Sequence, residues 1–170
     1  MITEPYEPYH SDVGGEDITR AYGISTAVRR TLGIGMVKMA VEHLGVDYPK
    51  KPCVSFEYRL ADGTLWGQKI KYKFPAGSED DKTFRMPHAK GNVATPLWLM
   101  HKWTQGTDRR SLVIFEGEGD CAAYYQVTGG KYACVSLPKG AKAAEESIRD
   151  HYQWIEQFEK IVLVFDADAT

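Results

Sequence analysis

Apolar and polar positions follow two different rhythms along this chain. In the second half, three short apolar runs at 110–115, 132–137 and 160–165 show no alternation. Runs of that kind read as strands buried on both faces, as in parallel sheets. Between them the spacing turns helical, first at about 120–127, closed by Gly129-Gly130. A longer helical segment at about 142–158 follows the turn 138–141 and carries Ala144, Ile148, Tyr152 and Ile155 at helical spacing. Strand–helix–strand–helix–strand predicts a parallel sheet with right-handed crossovers.

The first half is organised otherwise. Residues 16–32 look helical with an interruption at Gly23; Ser25 is placed to cap 26–32, and Gly33 and Gly35 to end it. Arg29 and Arg30 are expected as solvated helix charges. From 36 to 74 the period is two: Val54, Phe56, Tyr58 and Leu60 share one face of a strand at 53–60, and Asp62-Gly63 marks a hairpin turn. On the returning strand, 64–74, Trp66, Gln68, Ile70, Tyr72 and Phe74 point one way, and Lys69, Lys71 and Lys73 the other. Residues 1–15 read as an irregular lead-in. Residues 97–103 read as a short apolar helix in which Trp98 and Trp103 are packing anchors, and 105–109 reads as a linker. The expected fold class is therefore α/β. A mixed α+β N-terminal subdomain with a β-hairpin (16–106) precedes a parallel βαβαβ sheet (107–170).

Composition narrows the function. The 170 residues are enough for one domain with a real core or two small ones, and 43% hydrophobic with 26% charged residues is ordinary for a soluble globular protein. A net charge of −2 means that any nucleic-acid role must rest on a local patch. Lys69, Lys71 and Lys73 form one, and Lys82 and Arg85 extend it across the polar turn 77–81. Same-face residues on a strand repeat every ~6.6–6.8 Å, close to the reach between successive phosphates. A solubilising edge strand accounts for the same lysines, and on geometry alone is slightly favoured. Cys53, Cys121 and Cys134 are odd in number and far apart, so buried free thiols are expected rather than a zinc ribbon or a disulfide framework. The N-terminus is not a signal peptide and no apolar stretch reaches membrane-spanning length, so a cytosolic protein is expected.

The candidate chemistry lies where the apolar runs stop. Glu116, Glu118 and Asp120 follow one strand, and Asp166 and Asp168 another. Open α/β sheets bind ligands outside the carboxyl ends of their strands. Acids clustered there raise one another's pKa unless a cation intervenes. Mg²⁺ suits such a site because it prefers carboxylate oxygens, water and substrate phosphates; Mn²⁺ is the alternative, and no zinc is expected. The implied chemistry is phosphoryl or nucleotidyl transfer, against which stands the reading of each acid as a helix-capping residue. Other classes lack their motifs: there is no Gly-x-Ser-x-Gly elbow or His-Glu-x-x-His, and Gly129-Gly130-Lys131-Tyr132 fails as a Walker A loop.

These motifs resemble a known family. EGEGD at 116–120, VSLPKGA at 135–141 and VFDAD at 164–168 resemble the Toprim domain of bacterial-type primases, topoisomerases and some nucleases. RAYGIS at 20–25, the Asp-Gly hairpin, QKIKYK at 68–73 and KTFR at 82–85 resemble the primase part of phage replicative primase–helicases, to which the mitochondrial Twinkle helicase is related. The resemblance implies that Glu116, Asp120, Asp166 and Asp168 are metal-site acids. It implies that Glu116, Asp166 and Asp168 are catalytic, with Glu116 a general base or a metal-site organiser in RNA primer synthesis. It turns the lysine patch toward nucleotide and template contact, through Lys69, Lys71 and Lys82 with Lys73 and Arg85 beside them. The implied partners are single-stranded DNA template, ribonucleoside triphosphates and a helicase domain or subunit, with no membrane, in the cytoplasm of a phage-infected bacterium. The family's cysteine-rich zinc module and helicase ATP-binding loop are not in this sequence. The chain also ends just after Asp168, where a Toprim domain continues with another acid and a further strand. An amino-terminal piece of a primase–helicase, a split-gene product or a shortened chain is therefore expected. A non-catalytic Toprim-like nucleic-acid or replisome-binding module is the competing reading, and a Toprim nuclease a more distant one.

Overall fold

A computed structural model describes residues 1–5, 7, 23–43, 46–73, 82–104 and 106–167, with the backbone alone for 38–43, 46–52, 72–73 and 82–84. The described chain begins with β1 (Ile2–Glu4), which pairs antiparallel with the short β6 (Lys90–Gly91). The lead-in is thus not irregular throughout. Helix α1 (Thr26–Leu32) starts at Ser25, whose Oγ accepts from the Val28 amide at 3.4 Å, and ends at Gly33 in the left-handed conformation. Both ends fall where the capping residues predict; the part of the expected helix before Gly23 lies outside the described residues. Arg29 corrects the reading of a solvated charge: it is fully buried, with Nη2 donating to Thr26 Oγ1 at 2.9 Å, whereas Arg30 is exposed.

The antiparallel sheet has the order β2-β3-β4-β5, formed by β2 (Ile34–His43), β3 (Val46–Arg59), β4 (Leu65–Lys73) and β5 (Lys82–Arg85). The β3–β4 hairpin turns at Asp62-Gly63, with Asp62 Oδ1 accepting from the Thr64 amide at 2.9 Å. Since β4 lies between β3 and β5, it is not an edge strand, and the edge-protection reading of its lysines falls. Trp66, Gln68 and Ile70 are buried on one of its faces, as the alternation predicts.

The second half forms the expected parallel sheet, order β8-β7-β9, from β7 (Leu112–Phe115), β8 (Ala133–Ser136) and β9 (Ile161–Val164). All eight residues of β7 and β8 are buried, as their apolar runs predict, whereas β9, read the same way, lies at the end of the sheet order with Ile161, Leu163 and Val164 exposed. Helix α2 (Glu118–Val127) makes the crossover from β7 to β8, burying Cys121 and Ala122. The predicted long helix at 142–158 is broken. A 3-10 turn at Ala141–Ala143 precedes α3 (Ala144–Asp150), and His151, at φ −116°, separates it from α4 (Tyr152–Ile155). His151 Nε2 meets the Thr95 carbonyl at 2.9 Å. The break moves Tyr152 off the buried face, while Ile155 is buried as its spacing predicts and Trp154 and Phe158 join it in the core.

The segment between the two sheets joins them. Trp98 pairs its backbone with Ser136 at the outer side of β8, with N–H···O distances of 3.0 and 3.3 Å. Its indole packs edge-on against Phe56 of β3 and donates to the Glu57 carbonyl at 3.0 Å. The expected helix at 97–103 is therefore a bridge residue, then Leu99 at φ 71°, then a 3-10 turn at Met100–Trp103. Trp103 Nε1 donates to the Cys134 carbonyl at 2.7 Å. Both tryptophans are packing anchors, and the three cysteines are buried free thiols, as expected. Arg109, in the stretch read as a linker, lies over the Phe158 ring at 4.6 Å and donates to the Thr104 carbonyl. Among the described residues, no helix is long and apolar enough to cross a membrane.

Candidate active site

Glu116 and Asp166 sit at the carboxyl ends of β7 and β9, where the apolar runs stop. Glu116 follows the central strand directly. Its Oε1 accepts from the Ala141 amide at 3.4 Å and its Oε2 from the Asp166 amide at 3.2 Å. One carboxylate thus ties together the turn after β8 and the chain leaving β9. Gly140 in that turn has φ +71°, a conformation that favours glycine; a Cβ there would stand at ordinary contact distance, 3.5 Å from Glu116 Oε1. Asp120 is exposed in the first turn of α2, its Oδ2 near the open side of Gly117, where the helix N-terminus favours negative charge. Asp166 is exposed, and Asp168 lies outside the described residues. Among the described residues, no three acids, histidines or cysteines converge on one point. The donor set at the strand ends is nevertheless all carboxylate oxygen, which fits a hard divalent cation and not a thiophilic one.

The lysine patch is not one open face. Lys69 is 5% exposed; its Nζ lies 2.7 Å from Glu118 Oε1 and donates to the Pro138 carbonyl at 2.7 Å. Lys71, half-buried, places Nζ 2.8 Å from Glu118 Oε2 and 5.3 Å from the centre of the Phe56 ring. Arg85 is exposed and stands opposite Ile70 in the β4–β5 register. Lys73 and Lys82 are partners in the same register, and their side chains lie outside the described residues.

Glu118, read from sequence only as one more strand-end acid, is the hub. It is fully buried, and besides both lysines it accepts from the Tyr58 hydroxyl at 2.5 Å. Burial pushes its carboxyl up, but the ammonium groups of Lys69 and Lys71 outweigh that and hold it below the ordinary carboxylate value. Burial lowers Lys69 while Glu118 opposes the shift, and burial followed by the Glu118 charge keeps Tyr58 protonated well above the usual phenol value. No local signal marked Glu118, because its partners Tyr58, Lys69 and Lys71 lie across the fold and only their burial calls for an acid.

A parallel sheet joined through buried residues to an antiparallel sheet is a fold this chain shares with primase catalytic cores. The Escherichia coli primase catalytic core superposes with a TM-score of 0.60 over 91% of this chain and 56% of that one, at 16% identity, a likeness of fold alone. The particular likeness is to phage proteins. The primase fragment of the bacteriophage T7 primase-helicase matches with a TM-score of 0.72 and 27% identity, covering 97% of this chain and 60% of that one. Primase domains from a T7 structure, in which the lagging-strand DNA polymerase interacts with two gp4 subunits bound to an RNA/DNA hybrid and dTTP, match at 0.65 and 30% identity, covering 88% of this chain and 65% of that one. The DNA helicase/primase of Enterobacteria phage T3 is 34% identical over 112 residues, 66% of this chain and 18% of that protein. No protein-family model matches. The chain thus resembles the primase part of phage replicative primase–helicases in sequence and in fold, and spans about a fifth of the T3 protein's length.

Proposed function

We propose that the protein carries out divalent-metal-dependent nucleotidyl transfer, making short RNA primers on single-stranded DNA as the primase part of a larger primase–helicase. The observation that carries this is the position of Glu116, at the end of the central parallel strand and held by backbone amides from both flanking turns. Residues 107–170 would supply the acids, and residues 16–106 the basic surface that faces nucleotide and template. Glu116, Asp120, Asp166 and Asp168 are the residues to hold Mg²⁺, or Mn²⁺ in its place. Such an ion supplies neutralisation of phosphate charge and polarisation of a phosphoryl oxygen. The chain's own part is orientation. The amides of Ala141 and Asp166 fix the plane of the Glu116 carboxylate, leaving it set to accept a proton from an attacking hydroxyl or to organise the other acids. Lys71 and Arg85, with Lys73 and Lys82 from the β4–β5 register, would bind phosphates of the nucleotide and the template.

The test is direct. Incubated with single-stranded template, ribonucleoside triphosphates and Mg²⁺, the protein should yield short RNA products. Glu116→Gln should abolish them while the circular dichroism stays that of the unaltered protein, even though glutamine can accept from only one of the two amides. Absence of RNA from a folded protein at high concentration would sink autonomous primer synthesis.

A further inference from the structure

We infer that Lys69 and Glu118 are positioning residues for the cation crevice, acting on Glu116 through the 138–141 turn, and that Lys69 does not contact nucleotide phosphate. Lys69 joins three elements with one ammonium group. It rises from β4, meets Glu118 in the first turn of α2, and donates to the carbonyl of Pro138, each at 2.7 Å. Pro138 opens the turn whose Ala141 amide reaches Glu116 Oε1. Glu118 and Glu116 flank Gly117 and run opposite ways, the first buried beside Tyr58, Lys69 and Lys71, the second to the end of the sheet. Anchoring Glu118 therefore fixes the start of α2 and with it Asp120, while the Lys69–Pro138 bond fixes the turn that orients Glu116.

Accessibility separates the two neighbouring lysines. The Lys69 side chain is 6% exposed and that of Lys71 is 32%. Both ammonium groups pair with the buried Glu118, but a phosphate reaching Lys69 would also have to displace the Pro138 carbonyl, whereas Lys71 still meets solvent. Groups outside the coordination shell govern affinity by holding a ligand in place, and Lys69 does so at a remove, through the turn whose Ala141 amide meets Glu116.

The inference rests on the reading of the Glu116 crevice as a divalent-cation site, and the experiment separates the two. Lys69→Met, Lys69→Arg and Lys71→Met are made in the full chain, and their fold is checked by near-ultraviolet circular dichroism. Mn²⁺ binding is followed by electron paramagnetic resonance, and binding of oligothymidylate is measured across salt concentrations. Lys69→Met should weaken Mn²⁺ binding about ten- to hundredfold and speed hydrogen exchange at the Ala141 amide, with the salt dependence of oligothymidylate binding unchanged. Lys71→Met, which removes one Glu118 partner but leaves the Lys69–Pro138 bond to the turn, should weaken Mn²⁺ binding clearly less than Lys69→Met and reduce the logarithmic salt slope by about 1. Lys69→Arg is decisive: arginine serves a phosphate at least as well as lysine, but its planar fork does not reproduce a single nitrogen between Glu118 and Pro138. It should therefore fail to restore Mn²⁺ affinity. Should Lys69→Met not fold because Glu118 is orphaned, Lys69→Met with Glu118→Gln removes that charge and is read in the same way. Full recovery with arginine, unaltered Mn²⁺ affinity in the methionine variant, or a salt slope lowered as in Lys71→Met would overturn the inference. If the unaltered protein binds no Mn²⁺, the crevice reading fails instead, and Ala141 exchange alone decides whether Lys69 holds the turn.

Discussion

A histidine placed among cations behaves differently from one in water. Burial, then the charges of Lys102 and Arg59, lower the His101 imidazole from 6.5 to about 4. Its folded form is therefore neutral over a range where the unfolded chain is protonated. Where the unfolded state binds more protons, stability rises with pH. The His101 contribution is thus complete above the unfolded value of 6.5, declines as pH falls from there toward about 4, and changes no further below that. Urea unfolding at a series of pH values should show this decline in the unaltered protein and a flatter profile in His101→Gln. Equal stability differences between the two proteins at both ends of the window would refute it. The chain holds five scattered histidines; Lys102 is a neighbour in sequence, but nothing local announces the burial of His101 or the approach of Arg59.

At the scale of elements, β4 is the strand on which the front half depends. Alternation predicts its two faces, but a central strand and an edge strand show the same lysines. What decides its place is the pairing of β5, and then of the segment beyond it, along its far side. The Pro87–Ala89 stretch continues that pairing, with Gln68 donating to the Pro87 carbonyl at 3.1 Å and Ala89 to the Trp66 carbonyl at 2.7 Å, while His88 stacks on Trp66. Gly67 permits the close approach: a Cβ there would lie 2.5 Å from the Pro87 oxygen and 2.9 Å from the His88 Cα. Backbone atoms cannot step aside as a flexible side chain would. Gly67→Ala should cost about 1–3 kcal/mol, the usual range for overpacking, and speed exchange at the Gln68 and Ala89 amides. An unshifted unfolding midpoint would show that the segment is not held there.

In the molecule as a whole, one apolar core runs from Ile34, Phe56 and Tyr58 of the antiparallel sheet through Leu97–Met100 to β7 and β8. Trp98 spans the join, with its backbone on β8 and its side chain on β3. Truncating a fully buried tryptophan costs about 3–5 kcal/mol, and here the loss falls on both sheets. Trp98→Ala should lower the unfolding midpoint seen in β3 and in β8 together, as one cooperative transition measured by calorimetry and residue-resolved hydrogen exchange. Two separate transitions, with one unmoved from its position in the unaltered protein, would show instead that the sheets unfold as independent units.

Local chemistry and short-range periodicity are readable along a chain, and much here is of that kind. Ser25 and Gly33 cap α1, Asp62-Gly63 turns the hairpin, unbroken apolar runs mark β7 and β8, and acids mark the carboxyl ends of the parallel strands. Each depends on residues a few positions apart. Partnership is different, because a buried charge takes its partner from wherever the fold brings one. The sequence by itself therefore determined α1, the β3–β4 hairpin, the order of the three parallel strands and the place of Glu116 at a strand end. Only the tertiary structure decided that Lys69 is withdrawn from solvent, that Glu118 is the acid which withdraws it, and that the turn at 138–141 ties this buried pair to Glu116.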